Sequence, residues 1–168
     1  MINALHGKPL PIYGDGANVR DWLHVDDHCA AIDKIMHHGH AGSVYAVGGG
    51  CELSNLDLID LLCAGLDAAF AAHPALAESY PDAPAAKGLT SASLKQFVPD
   101  RAGHDRRYAI DASLIAAELD FRPQVAFKSG LAQTIAWYLD HPHWWQAILD
   151  GRYREWFDQH YQSLLKTR

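Results

Sequence analysis

Short apolar segments, separated by turns that contain glycine or proline, follow one another along the chain, and this alternation most restricts the folds open to it. Some segments show the two-residue period of a half-buried strand, and others the spacing of an amphipathic helix. The extended segment of residues 10–13 runs into a glycine turn, for example, and the helix predicted after Asp26 ends at Gly39. Strands and helices mixed in this way predict an α/β or α+β chain.

Five strands and seven helices are predicted. The strands are residues 10–13, 20–25, 43–47, 95–98 and 108–110. The helices are residues 1–5, 26–38 with Asp26 and Asp27 as caps, 56–71 capped by Asn55 or Ser54, 113–119 started by Asp111 or Ser113, 128–140, 143–149 and 152–165. Residues 73–93 are rich in alanine, proline and serine, and they predict an exposed excursion or a loosely packed helix pair.

Length and charge limit the function classes. The chain has 168 residues, enough for one domain over residues 1–168, and 14 Lys and Arg against 20 Asp and Glu give a net charge of −6. Such a chain offers no broad basic surface to a nucleic acid or an anionic membrane, and no apolar run reaches the roughly 18 residues of a membrane span. The first residues lack the apolar stretch of a secretory signal, so we expect a cytoplasmic location.

Neither the cysteines nor the histidines predict a metal site. Cys29, Cys51 and Cys63 are odd in number and lack a Cys-x-x-Cys spacing, so we expect three small buried apolar residues. His37 and His38 stand at the end of a predicted helix, where a cation or a hydrogen-bond donor is favourable. No acidic residue completes a zinc-binding pattern with them.

Three polar clusters fall in predicted loops or strand ends: residues 8–20, the glycine run 48–50 with Asn55, and residues 100–107. The third cluster places three arginines and one histidine beside Gly103, which lets the backbone approach a ligand closely. Because arginine forks bind phosphate oxygens bidentately, this loop favours recognition of a phosphate or diphosphate. The alternative is a solvated loop whose arginines pair with Asp100, Asp105 and Asp111.

Several catalytic signatures are missing from the sequence. It has no G-x-G-x-x-G or P-loop, no G-x-S-x-G elbow, and no cysteine beside an activating histidine. The residues therefore predict a binding function without an evident catalytic set.

Two long runs resemble the carboxy-terminal half of the extended short-chain dehydrogenases/reductases. The first spans residues 3–28 and contains Gly-Lys-Pro-Leu-Pro-Ile-Tyr-Gly-Asp-Gly and Arg-Asp-Trp-Leu-His-Val-Asp-Asp. The second, Phe-Val-Pro-Asp-Arg-Ala-Gly-His-Asp-Arg-Arg-Tyr-Ala-Ile-Asp over residues 97–111, narrows the resemblance to the dTDP-glucose 4,6-dehydratases. The ending supports the same family, from Gly130 through the tryptophan pair at 144 and 145 to residues 151–153.

The resemblance implies a lyase of nucleotide-sugar metabolism that converts dTDP-glucose to its 4-keto-6-deoxy product with a tightly bound NAD. It implies a nucleoside pocket lined by Pro11, Ile12 and Tyr13, with the Tyr13 ring near thymine. It further implies that the diphosphate is held by Arg20 and by the loop residues Asp100, Arg101, Ala102, Gly103 and His104, and that Asn55 hydrogen-bonds the nucleotide. Ala102 departs from the family's usual proline, which loosens this loop, and Ala46 departs from its usual asparagine.

The family's NAD fingerprint, Tyr-x-x-x-Lys pair and Asp-Glu acids have no match here. The resemblance therefore implies no catalytic residue and no NAD binding in this chain alone, and we expect it to be inactive by itself. A non-catalytic nucleotide-sugar-binding module, or half of a related UDP-sugar epimerase or decarboxylase, is the alternative. Residues 26–48, a helix and a strand, would dock on the NAD-binding domain, so we also expect the exposed surface to favour self-association.

Overall fold

A computed structural model describes residues 1–149 and residue 151. The chain divides into two compact units, residues 1–132 and 133–168. Among the described residues, no helix is long and apolar enough to cross a membrane. The helix predicted over residues 152–165 lies outside the described residues.

The described part contains four strands and seven α-helices. In chain order they are α1 (Ile2–Leu5), β1 (Leu10–Tyr13), β2 (Val19–Asp21), α2 (Val25–His38), β3 (Glu52–Ser54), α3 (Asn55–Ala72), α4 (Leu76–Ser79), β4 (Lys95–Val98), α5 (Ser113–Leu119), α6 (Phe127–Asp140) and α7 (Pro142–Leu149). Two 3₁₀ turns, Pro84–Lys87 and Ser91–Leu94, lie between α4 and β4. The mixed α/β class is confirmed.

Two small sheets build the first unit. Strands β1 and β4 pair in parallel, with Leu10 opposite Lys95 and Tyr13 opposite Val98. Leu10 and Ile12 point into the core while Pro11 and Tyr13 face outward, which is the two-residue alternation of a half-buried strand. Strands β2 and β3 pair antiparallel. The pairing of β1 with β4 brings the turn after β1 and the loop after β4 to the same sheet edge.

The glycine run 48–50 is packed against β2. The carboxylate of Asp21 accepts hydrogen bonds from Gly49 N at 3.0 Å and Cys51 N at 2.9 Å. A Cβ at Gly49 would lie 2.0 Å from the carbonyl oxygen of Trp22, so the backbone approaches more closely than any side chain permits. Gly48 and Gly49 therefore allow the close packing of the chain against β2.

One face of α2 is buried and another is exposed. Ala31 and Ile35 pack against Ile115 and Leu119 of α5 and against Phe121, which follows that helix. On a second stripe, a set of large or apolar side chains at helical spacing is exposed: Val25, Cys29, Ile32 and Met36. The predicted apolar face of this helix is thus only partly covered, and the expected burial of Cys29 is wrong.

The alanine- and proline-rich segment is tied to α3. Asp67 accepts from Thr90 Oγ1 at 2.9 Å and from Ser91 N at 3.0 Å, and Ser91 is only 2% exposed. Tyr80 is buried, with its ring 6.5 Å from that of Phe70. The segment is therefore a set of short helical turns packed on α3, and not an exposed excursion.

Two predicted strands do not form within the described residues. Residues 43–47 carry no strand, and residues 108–110 follow a single parallel bridge between Val19 and Arg107. A strand needs a neighbour that completes its hydrogen-bonding ladder, and the apolar pattern of a segment does not supply one.

Helix and strand ends also differ from the prediction. The strand predicted to end at residue 25 ends at Asp21. Helix α2 is capped by His24, and not by Asp26 or Asp27, because the Nδ1 of His24 accepts a hydrogen bond from Asp26 N at 3.3 Å. Asp27 instead turns inward and accepts from Gln124 N and Val125 N, both at 2.9 Å. Helix α5 ends at Leu119, as predicted, and its C-cap Asp120 has a φ of +46°. Ser54 caps α3, one of the two predicted alternatives.

Aromatic side chains pack within the second unit. The Trp137 ring stacks on His141 at 4.6 Å and meets Trp144 edge-on at 5.3 Å. Trp145 is buried and donates its indole N–H to the carbonyl of Tyr138 at 3.0 Å. These contacts show that the aromatic residues of α6 and α7 pack against one another.

Candidate functional site

The turn after β1 forms one side of the candidate site. Gly14 N donates to the carbonyl of Val98 at 3.0 Å, and Gly14 has a φ of +58°. A Cβ at Gly14 would lie 2.9 Å from Asp100 Oδ2, so glycine at this position lets the Asp100 carboxylate rest on the turn. The outward-facing ring of Tyr13, 46% exposed, stands beside it.

Asp100 organises the loop after β4. Its Oδ1 accepts from Arg101 N at 2.8 Å and pairs with His104 Nδ1 at 2.7 Å. The hydrogen bond from His104 is the main reason that the pKa of Asp100 is lowered, with a smaller contribution from the Arg101 N–H. The His104 ring meets the Tyr13 ring edge-on, with centroids 6.4 Å apart and an interplanar angle of 83°. One carboxylate thus fixes a cationic loop beside an exposed aromatic ring.

Arg20, on β2, joins the same loop from the other side. Its Nη1 donates to the carbonyl of Val19 at 2.7 Å and its Nη2 to the carbonyl of Asp105 at 3.1 Å. The Arg20 Cζ lies 4.1 Å from the centre of the Tyr108 ring, a cation–π contact. The Tyr108 hydroxyl donates to the Asp105 carboxylate, which raises the pKa of Tyr108.

The other two arginines of the loop pair with carboxylates. Arg106 donates to both oxygens of Asp15 at 3.0 Å. The pKa of Asp15 is lowered, chiefly by the hydrogen bond from Ala17 N and then by Arg106. Arg107 donates to Glu52 Oε2 from its Nε at 2.9 Å. Arginine–acid pairing is therefore real, but the acids are Asp15 and Glu52, and the predicted partners Asp100, Asp105 and Asp111 are not among them.

The remaining predicted residues lie at different depths. Pro11 is exposed on β1, whereas Ile12 is 0% exposed, backbone included. Ala102 and Gly103 are exposed, and a Cβ at Gly103 would meet nothing within 4 Å. Asn55 begins α3 and donates its backbone N–H to the carbonyl of Asn18 at 2.9 Å. The direct contacts bring together Tyr13, Arg20 and the loop of residues 100–105.

Sequence reasoning missed the part of Tyr108. The sequence pattern predicts a strand at Tyr108, whereas the structure places its ring against Arg20 and its hydroxyl on Asp105. An aromatic residue next to an arginine cluster is a signal for cation–π packing, but the partner is far away in sequence and could not be named.

The glycine run 48–50 does not have the geometry of an NAD-binding loop. The glycine run 48–50 is taken up by contacts with Asp21 and Trp22, and β3 lies between it and the start of α3. A dinucleotide fingerprint requires glycines that open directly into a helix N-terminus beneath the pyrophosphate. Among the residues described, no group of three or more His, Cys, Asp or Glu side chains could hold a metal ion.

Comparison with known proteins agrees with this architecture. Residues 1–134 match the family model of GDP-mannose 4,6 dehydratase. The chain is 43% identical over 154 residues to dTDP-glucose 4,6-dehydratase of Neisseria meningitidis serogroup B, covering 92% of this chain and 40% of that protein. The Xanthomonas campestris pv. campestris dTDP-glucose 4,6-dehydratase is 45% identical, with the same coverage. The chain thus spans about two fifths of the length of these relatives.

A solved structure shares the fold. The crystal structure of DesIV, the dTDP-glucose 4,6-dehydratase of Streptomyces venezuelae with NAD bound, is 41% identical and superposes with a TM-score of 0.69. The match covers 85% of this chain and 38% of DesIV.

Fold and site together define a part of an extended short-chain dehydrogenase/reductase of the epimerase/dehydratase type. The chain belongs to the GDP-mannose 4,6 dehydratase family. Within that family, the relatives reported above are dTDP-glucose 4,6-dehydratases, and the resemblance drawn from the two sequence runs is confirmed.

Proposed function

We propose that this chain supplies the nucleotide-sugar-binding portion of a dTDP-glucose 4,6-dehydratase. The observation that carries the proposal is the junction of Tyr13 with the loop of residues 100–105, because it combines an exposed aromatic ring with fixed phosphate-binding groups. The 41–45% identity to dTDP-glucose 4,6-dehydratases supports the same substrate class.

Different side chains would bind the base and the diphosphate. The Tyr13 ring would pack against the base, as aromatic faces do with nucleobases. The Arg20 and Arg101 guanidiniums and the His104 imidazole would hydrogen-bond the diphosphate, and the backbone beside Gly103 would approach it closely. Because Arg106 and Arg107 are paired with Asp15 and Glu52, we assign the ligand to the guanidiniums of Arg20 and Arg101. Asn55 and the edge of Pro11 would border the nucleoside.

The chemical steps would be carried by other parts of the enzyme. The described residues provide no dinucleotide cradle, and the sequence has no Tyr-x-x-x-Lys pair. We therefore expect NAD to be bound by the complete family enzyme, with this chain alone converting no dTDP-glucose to keto sugar. Formation of 4-keto product by the purified chain, measured by absorbance after alkali, would contradict this expectation.

The binding proposal is tested by an NMR titration of the full chain with dTDP, which detects even millimolar affinities. We expect saturable shifts, and Arg101→Ala should weaken binding about tenfold or more because hydrogen bonds to charged groups are strong. Arg122→Ala is the matched control: it removes the same charge from an exposed residue outside the loop. Equal weakening by both variants would reduce the effect to net charge and contradict the proposal.

A titration with UDP tests the alternative function, half of a UDP-sugar epimerase or decarboxylase. A chain that binds UDP as tightly as dTDP would fit half of a UDP-sugar epimerase or decarboxylase. Preference for dTDP supports the proposed function.

A further inference from the structure

Arg20 and Tyr108 are joined by more than their ring contact. The Val19 carbonyl accepts from Arg20 Nη1 at 2.7 Å and also from Tyr108 N at 3.1 Å. Asp105 forms a second bridge: its carbonyl accepts from Arg20 Nη2, and its carboxylate accepts from the Tyr108 hydroxyl. The guanidinium is therefore held by two carbonyls at its edge and by an aromatic ring across its face.

A free arginine side chain on a strand would sample many rotamers, and fixing it on ligand binding costs conformational entropy. In this structure the Arg20 side chain is already fixed without a ligand, because its Cζ lies 4.1 Å from the centre of the Tyr108 ring. Preorganisation of this kind raises affinity without a new contact to the ligand.

We propose that Tyr108 is a positioning residue for Arg20: its ring, anchored through the hydroxyl to Asp105, holds the guanidinium ready for the diphosphate. The inference deepens the proposed function and rests on it. Tyr108 itself need not touch the ligand, which distinguishes its part from those of Tyr13 and Arg101.

The charges around the phenol provide a readout that needs no ligand. Asp105 raises the pKa of Tyr108, whereas Arg20 and Arg101 lower it. With tyrosine labelled by ¹³C at Cζ, the ionisation of Tyr108 can be followed by NMR and assigned through Tyr108→Phe. Arg20→Gln should raise the pKa of Tyr108 further, because it removes a cation from the ring face.

Affinity for dTDP is then measured in a double-mutant cycle of Arg20→Gln and Tyr108→Leu. Tyr108→Leu alone should weaken binding by about 2- to 5-fold, which corresponds to one exposed cation–π contact. In the Arg20→Gln background the same change should have almost no further effect. Tyr108→Phe keeps the ring and should restore most of the affinity that Tyr108→Leu loses.

Three results would overturn the inference. An unchanged pKa of Tyr108 in Arg20→Gln would show that the pair is not in contact, whatever dTDP does. Additive losses in the cycle would show that Tyr108 acts on binding independently of Arg20. If the pKa rises as expected but the wild-type chain binds no dTDP, the proposed function fails, and the inference fails with it.

Discussion

Asp100 is the single residue on which most of the candidate site depends. Its carboxylate accepts from Arg101 N and His104 Nδ1 while resting against Gly14, so it links the cationic loop to the turn after β1. The sequence runs that carry the family resemblance include this residue, but its structural part is visible only when the loop is folded. The Asp100 carboxylate therefore orients Arg101 and His104, the groups proposed to bind phosphate.

The depressed pKa of Asp100 predicts a pH dependence of stability. The ordinary pKa is 3.8 and the folded value is lower, so the stabilising contribution is fully present above 3.8 and is lost as the pH falls through the folded value. We expect Asp100→Asn to lower the urea midpoint relative to wild type at about pH 6, and we expect this difference to shrink as the pH falls below 3.8. Asp15 and Asp111 also have lowered pKa values, but both residues are present in the wild type and in Asp100→Asn, so their contributions cancel when the two urea midpoints are compared.

Asp33→Asn is the matched control for this comparison. Asp33 and His37 also form an i,i+4 pair, with an Nδ1–Oδ1 distance of 3.4 Å, but on the exposed face of α2. Exposed pairs of this kind contribute little. A pH-dependent difference as large for Asp33→Asn as for Asp100→Asn would contradict the assignment.

At the scale of elements, α3 supports the segment that leads into β4. Asp67 accepts from Thr90 Oγ1 and Ser91 N, and that segment delivers the chain to the strand paired with β1. Removal of the carboxylate leaves a buried backbone N–H without its acceptor. We expect Asp67→Ala to lower the free energy of unfolding by about 1–3 kcal/mol, measured by urea denaturation.

Glu78→Ala provides the comparison, since Glu78 lies exposed in the same segment. Its effect should stay within about 0.5 kcal/mol. If both variants unfold at the same urea concentration, the Asp67 contacts do not hold the segment.

Elements whose pattern is satisfied locally were predictable. Helix α3 shows its apolar spacing within its own sequence, and the Ser54 side chain that caps it accepts from Asp57 N, three residues away. Strand β1 likewise shows its alternation of buried and exposed residues within four positions. Residues 43–47 and 108–110 have equally good strand patterns, yet no neighbouring strand pairs with them among the described residues. Local sequence states what a segment prefers, and long-range pairing decides whether it is realised.

The same distinction applies to the site. The arginine-rich loop and its phosphate chemistry could be predicted from residue types. Which arginines are neutralised could not, because Asp15 is 91 positions from Arg106 and Glu52 is 55 positions from Arg107.

At the scale of the whole chain, the exposed apolar stripe of α2 is a surface on which a partner could pack. Met36 is 77% exposed, and Val25, Cys29 and Ile32 continue the stripe. The helix carries Asp26 in its first turn and His37 in its last, so an antiparallel second copy would set acidic ends against imidazoles. We propose self-association of this chain through α2.

Sedimentation velocity tests this proposal. The wild-type chain, with a mass of 18.5 kDa, should sediment faster as its concentration rises, because the apolar stripe is removed from water on association. Ile32→Asp should sediment as a monomer, whereas Leu89→Asp, a charge placed at a similarly exposed leucine outside α2, should behave as wild type. A concentration-independent monomer for the wild-type chain would refute the proposal.

The parallel pairing of β1 with β4 also bears on the order of folding. Arg20 and Asp105 are 85 positions apart, and bringing such distant segments together costs loop-closure entropy that local helices such as α3 do not incur. We therefore expect the binding groups to assemble in a late step of folding, after the local helices have formed. A nucleotide that recognises only the assembled edge would slow its opening, so protection of the β1 and β4 amides from hydrogen exchange would report occupancy directly.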